Sequence, residues 1–111
     1  METPVKTVEH RRSPRHPFRA DVEIEWGSTT LRASINEIGG TGMFIESNDP
    51  LWVGAEFRAR MLLELQLEVN CVVRRVVPGV GMGVEFVGLT EEARARVEKL
   101  FETPAKRQGC V

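Results

Sequence analysis

Residues 20–26, Ala-Asp-Val-Glu-Ile-Glu-Trp, decide the fold class because apolar and acidic side chains alternate along them. A period of two places one face of a strand against a core and the other face in solvent. Gly27-Ser28 then predicts a turn, and alternation resumes over residues 31–35. The chain therefore begins its folded part as an antiparallel hairpin.

The same pattern continues through most of the chain. Residues 43–45 predict a strand after a glycine-rich turn, and further alternating or apolar runs follow at residues 57–61, 63–73, 76–77 and 82–86. A hairpin turn must fall within residues 63–67, but no Gly or Pro marks its position. About six or seven short strands at this spacing predict an all-β protein, a small antiparallel barrel.

One helix is predicted after the strands. Thr90 is a suitable N-cap, and the two acidic residues that follow it favour the positive end of the helix dipole. Its apolar positions form a single stripe: Ala93, Val97, Leu100 and Phe101. Pro104 is predicted to end the helix. We expect the helix to cover an open end or an edge of the barrel.

Length and composition fit one domain. The chain has 111 residues, 41% of them apolar, and a net charge of −1, so it lacks the basic field of most duplex-DNA binders. Of its 15 cationic residues, 12 are Arg. The chain has neither a long apolar run nor a signal-peptide pattern, so we expect a cytoplasmic protein without membrane insertion.

Signatures of catalysis and of metal binding are weak. Cys71 lies in an apolar run and is predicted to be a core residue, whereas Cys110 lies in a polar tail. Neither has a His or Cys neighbour suited to zinc. The glycine-rich residues 39–42 lack the Lys-Ser/Thr of a phosphate-binding loop. We therefore predict that the protein is not an enzyme and has neither a metal nor a cofactor.

A basic segment precedes the first strand. Arg11, Arg12 and Arg15 lie within five residues, and Pro14 and Pro17 keep their backbone extended. One interpretation is a solvated basic arm. The other is an arginine clamp, because guanidinium groups bind phosphate and the edge of guanine with paired hydrogen bonds.

The arrangement of these segments resembles a PilZ domain. The resemblance rests on Arg11-x-x-x-Arg15, the strand at 22–26 and the run 42–45, Gly-Met-Phe-Ile. Residues 72–75 and 81–86 are similar to the closing strands of the family, and the final helix is also similar. The resemblance covers residues 9–102. It implies a six-stranded antiparallel barrel with one C-terminal helix, and a bacterial receptor for cyclic di-GMP.

The resemblance also implies a binding site in two parts. In the family, the arginines of the arm contact the phosphates and guanines of the ligand; here these are Arg11 and Arg15, with Arg12 alongside. A D/N-x-S-x-x-G turn supplies the second part. The residues that match it are Glu37, Gly39 and Gly42, so the turn reads E-x-G-x-x-G. Gly42 is kept, Glu37 keeps a carboxylate on a longer side chain, and Gly39 lacks the serine hydroxyl.

A shifted register of the turn matches the family less well. It would begin at Asn36, and would place Ile38 where serine belongs and Thr41 where glycine belongs. We therefore assign the predicted domain to residues 11–102, including the basic arm. Residues 1–10 are predicted to be a flexible segment and residues 103–111 a disordered tail.

Two functions follow from the resemblance. The first is a cyclic di-GMP receptor whose surface changes on binding and which signals to an unidentified effector protein. The alternative, favoured by the altered turn, is a protein-interaction module that does not bind the nucleotide; control of motility is a common role in the family. Direct binding to a nucleic-acid polymer ranks below both because the net charge is unsuitable.

Overall fold

The strands with alternating burial form one closed sheet in the part of the chain that the structure describes. This computed structural model describes the backbone of residues 15–110 and the side chains of residues 15–100. Its elements are β1 (His16–Trp26), β2 (Thr29–Ile38), β3 (Gly42–Glu46), β4 (Glu56–Met61), β5 (Leu67–Val77), β6 (Gly81–Val87) and α1 (Glu91–Cys110). The strands form a closed barrel in the order β1-β2-β3-β6-β5-β4, and the paired strands are antiparallel. The predicted barrel with one C-terminal helix is confirmed.

The inward-facing residues of the strands fill the barrel. The predicted alternation over residues 20–26 holds, with Val22 and Ile24 at most 1% exposed. Cys71 is 1% exposed, as predicted, and burial raises the pKa of its thiol. At about 25 cal/mol per Å² of apolar surface, burial of such side chains is the main stabilising contribution to a domain of this size.

Helix α1 begins as the sequence predicts. The backbone N–H of Ala93 donates to the Thr90 hydroxyl over 3.0 Å, which is an N-cap. Val97 is fully buried in the core and Leu100 packs against it. The helix continues to Cys110, so the prediction that Pro104 ends it is wrong. A proline removes one helical hydrogen bond and favours a kink, but the residues after it can still take helical angles.

The unmarked hairpin turn lies at residues 62–66, between β4 and β5. Hydrogen bonds to residues distant in sequence hold this turn, which has no glycine. The Leu62 N–H donates to the Asp21 carbonyl over 2.9 Å, and Arg96 of the helix donates to the carbonyls of Leu65 and Gln66 over 3.0 and 3.1 Å. Because these partners lie far along the chain, the position of the turn depends on tertiary contacts.

Candidate functional site

Four of the six predicted site residues belong to the described part of the chain. Arg11 and Arg12 lie outside the described residues. Arg15 immediately precedes β1, Glu37 lies near the end of β2, and Gly39 and Gly42 flank the short link to β3. The pairing of β1 with β2 matches Pro17 with Glu37, so the start of the first strand lies beside the predicted turn.

A β-bulge sets the direction of Glu37. The pairing of β2 with β3 runs from Ile35 opposite Ile45 to Glu37 opposite Phe44, which leaves Asn36 as the extra residue. Glu37 therefore faces outward, although it is only two residues from the buried Ile35. The Asn36 amide donates to a carboxylate oxygen of Glu46 over 2.9 Å.

Arg15 lies close to Glu37. Burial among neighbouring protein atoms lowers the pKa of Arg15, the carboxylate of Glu37 opposes this shift, and the charge of Arg75 adds to it. The residue as a whole is nevertheless exposed, so its guanidinium remains accessible to a ligand and charged at neutral pH. Within the described side chains, Arg15 forms neither a hydrogen bond nor an ion pair.

The glycines of the turn have separate structural roles. The Gly39 N–H donates to the Gly42 carbonyl over 2.9 Å and closes the turn. A Cβ at Gly42 would lie 2.1 Å from the backbone oxygen of Val84 on β6. Its φ is not in the left-handed region, so close approach of β3 to β6 is the reason that glycine is needed there.

Phe44 of β3 and Gly83 of β6 form a floor on the outer surface beside the turn. Phe44 pairs with Gly83 of β6 and faces the outside of the barrel, yet it is only 9% exposed and does not belong to the core cluster. A Cβ at Gly83 would contact the Phe44 ring at 3.9 Å, and one at Gly81 would approach it to 2.7 Å. Gly81 therefore leaves room for the ring, whereas a Cβ at Gly83 would make only ordinary van der Waals contact with it.

Sequence reasoning gave Arg75 no role in the site. The pairing of β5 with β6 shifts between Val73 and Arg75 and places Arg75 opposite Gly83. Arg74, the adjacent residue, instead donates to Glu85 over 2.6 Å. Two consecutive arginines carry no pattern that separates their roles, so only the register of the bulged strand distinguishes them.

This arrangement suits a ligand that combines anionic and planar groups. The outward row Glu37, Phe44, Gly83 and Arg75 crosses four adjacent strands, and Arg15 lies at its Glu37 end. Guanidinium groups bind phosphate, and a carboxylate can accept hydrogen bonds from a base N–H. The site thus combines phosphate donors with an acceptor and an open backbone surface.

The family model described as PilZ domain matches residues 9–103. The chain belongs to the PilZ family. That match includes the arm, the altered turn and the closing strands on which the sequence resemblance rested. Comparison with curated protein sequences gives no match.

Solved structures share the fold of this PilZ domain. The PilZ domain of Escherichia coli YcgR with c-di-GMP has a TM-score of 0.71 and 15% identity, covering 89% of this chain and 96% of that one. The K. pneumonia MrkH–c-di-GMP complex has a TM-score of 0.73 and 20% identity, with coverages of 88% and 55%. The Bacillus subtilis inhibitor of motility MotI/DgrA has a TM-score of 0.69 and 23% identity, with coverages of 88% and 50%.

Two of these relatives extend well beyond the matched region. This chain spans half the length of the MotI/DgrA chain and about 55% of the MrkH chain. At sequence identities of 15–23%, the similarity to these structures shows a shared fold only. Within the described residues, none of the helices is long and apolar enough to cross a membrane.

Proposed function

We propose that this PilZ protein is a cytoplasmic receptor for cyclic di-GMP that signals to an effector protein without catalysing a reaction. The observation that carries the proposal is Arg15, a charged guanidinium without a protein partner among the described side chains, placed beside Glu37. It occupies the second arginine position of the family's arm. Two of the structural relatives contain c-di-GMP, which supports the same ligand.

In the proposed complex, the arm and the turn hold different parts of the ligand. Arg11, Arg12 and Arg15 contact the phosphates and guanines, and charge-assisted hydrogen bonds of this kind are the stronger ones. Glu37 accepts from a guanine N–H, while Gly39 and Gly42 allow the ligand to approach the backbone. Contacts between the ligand and the arm then change the surface that an effector meets.

The test is calorimetric titration of the full chain with cyclic di-GMP. We expect saturable binding to the wild type and a loss of about a hundredfold in affinity for Arg15→Ala, because one charge-assisted contact contributes about 1.5–3 kcal/mol. Arg19→Ala is the matched control. Arg19 is four residues along the chain but already pairs with Glu46 over 3.3 Å. An absence of heat from the wild type at millimolar ligand would refute the proposal.

Effector signalling requires a second measurement. Hydrogen–deuterium exchange with and without cyclic di-GMP should show slower exchange in residues 9–20 and in the turn at residues 37–42. Equal exchange at saturating ligand would leave a receptor that binds without changing its surface, which contradicts signalling by this route.

The second candidate function is a PilZ interaction module that does not bind the nucleotide. Gly39 favours it, because glycine cannot supply the hydroxyl of the family's serine. One such hydrogen bond contributes about 0.5–1.5 kcal/mol, which corresponds to about a two- to tenfold change in affinity. Under this alternative, the double variant Glu37→Asp with Gly39→Ser gains binding that the wild type lacks. A wild type that already binds as tightly as the double variant would exclude it.

A further inference from the structure

We infer that Arg75 of β5 is a further ligand-binding residue, which holds a phosphate of the nucleotide against the floor formed by Phe44 and Gly83. The inference rests on the proposed function and extends its site to a strand on the opposite side of the floor from the arm. Arg75 is distant in sequence from the arm and the turn, but the strand pairing places it on the same outer surface.

The register of the barrel places Arg75 in line with the predicted turn. Glu37 pairs with Phe44, Phe44 with Gly83, and Gly83 with Arg75. Directly paired residues of antiparallel strands point to the same face. The bulge between Val73 and Arg75 decides this. Strict alternation from the buried Val73 would place Arg74 opposite Gly83 and turn Arg75 inward, whereas the bulge leaves Arg74 as the extra residue and places Arg75 opposite Gly83.

The Arg75 side chain lies along the floor. A Cβ built at Gly83 would be 3.8 Å from Arg75 Cβ and 3.9 Å from Arg75 Nε. The side chain therefore runs over β6, the strand that lies between β5 and β3. In that position its guanidinium is on the same surface as Phe44 and remains exposed to solvent.

The charges around the floor favour an anion. Arg15 and Arg75 influence each other electrostatically, and within the described side chains neither forms an ion pair. Glu37 offsets only one of the two positive charges. Two neighbouring guanidiniums repel each other, and an anion placed between them relieves that repulsion.

A phosphate fits this position better than a guanine edge does. The edge of guanine is neutral overall and needs one well-oriented donor pair, whereas a phosphate carries a full charge and accepts from donors on several sides. Converging positive charges therefore favour the phosphate. Arg74 does not share this role, because Glu85 already holds its Nε at 2.6 Å.

Adjacent arginines provide a matched pair for the test. Calorimetric titration with cyclic di-GMP compares the wild type with Arg75→Ala, Arg75→Lys and Arg74→Ala, and thermal unfolding checks that each variant folds. We expect Arg75→Ala to weaken binding about ten- to a hundredfold and Arg74→Ala to change it by less than about threefold. Arg75→Lys should recover part of the loss, because it retains the charge but not the planar fork.

The outcomes separate the inference from the proposed function. If the wild type binds and Arg75→Ala binds equally well, the role of Arg75 is refuted and the receptor stands. If Arg74→Ala and Arg75→Ala weaken binding equally, the effect is one of general surface charge, which also refutes a specific contact. If the wild type does not bind, both proposals fail.

Discussion

Two outward surfaces of the same barrel use arginine in opposite ways. On the acid-paired face, around Arg60 of β4, the guanidinium donates to Glu23, Glu25 and Glu68 at 2.8, 2.7 and 3.0 Å. On the open face, around the floor of Phe44 and Gly83, Arg15 and Arg75 form no ion pair with a carboxylate within the described side chains, although Glu37 lies near Arg15. An arginine already surrounded by acids is satisfied, whereas one without them can bind a ligand.

The pKa shifts follow this difference. Hydrogen bonds from the Arg60 guanidinium to Glu68, Glu25 and Glu23 raise its pKa. Burial lowers the pKa of Arg15 instead, and the neighbouring Arg75 adds to that shift. The protein stabilises the charge of Arg60 with its own carboxylates, whereas Arg15 and Arg75 form no ion pair within the described side chains.

The largest expected effect is reversal of charge on the open face. Arg15→Glu removes a charge-assisted contact and places a carboxylate where the phosphate would bind, so we expect binding of cyclic di-GMP to fall by more than about a hundredfold. Titration calorimetry measures it. Arg58→Glu, the same reversal on the acid-paired face, should leave the affinity within about threefold. Equal losses would mean that the two faces do not differ in function.

The next effect is loss of stability on the acid-paired face. Arg60→Ala leaves three neighbouring carboxylates without their shared cation, so they repel one another. We expect a lower urea midpoint with an unchanged slope and an unchanged affinity for the nucleotide. Arg60→Lys should fall between the two proteins in stability. A nucleotide affinity that falls in proportion to stability would contradict the separation of the faces.

A smaller effect concerns Glu46, a paired carboxylate near the open face. Hydrogen bonds from Asn36 and Arg19 lower its pKa from the ordinary value of 4.5. Because the folded pKa is below the unfolded one, the stabilisation is present above the ordinary value and is lost as the pH falls through the folded pKa. Glu46→Gln should therefore be less stable than the wild type at neutral pH, and the difference should shrink in acid.

Urea unfolding at about pH 7 and about pH 3 measures this change. Asp49→Asn is a suitable control, since Asp49 is an exposed acid near the end of the same strand. A stability difference for Glu46→Gln that is the same at both pH values would show that its ionised form contributes nothing to folding.

The smallest effect is expected for a peripheral ion pair of the acid-paired face. Arg58 approaches Glu25 only to 3.6 Å and its side chain is 54% exposed. Exposed pairs of this kind contribute at most about 1 kcal/mol. Arg58→Ala should thus shift the urea midpoint much less than Arg60→Ala does. A comparable shift for Arg58→Ala would mean that the ion-pair network as a whole, rather than the three contacts of Arg60, sets the stability of this face.

Much of the barrel could be predicted from the chain. The alternation around Val22 and Ile24 predicted strands with one buried face, and Thr90 predicted the start of the helix. These are local signals, because the period of burial and the capping of a helix depend on neighbouring residues. The turn at residues 62–66 lacked such a signal, and distant hydrogen bonds from Arg96 contribute to its position.

The candidate site also has one part that the sequence determined and another that depends on tertiary structure. By itself, the sequence determined the residue types at the arm and the turn, including Gly39 in place of serine, and these led to the family. Only the tertiary structure decided that Glu37 and Arg75 share one outward row, because a bulge in each strand shifts the alternation there. It also decided that Arg74 meets Glu85 while Arg75 stays open. Pairing between distant strands sets such neighbours, and local sequence does not encode it.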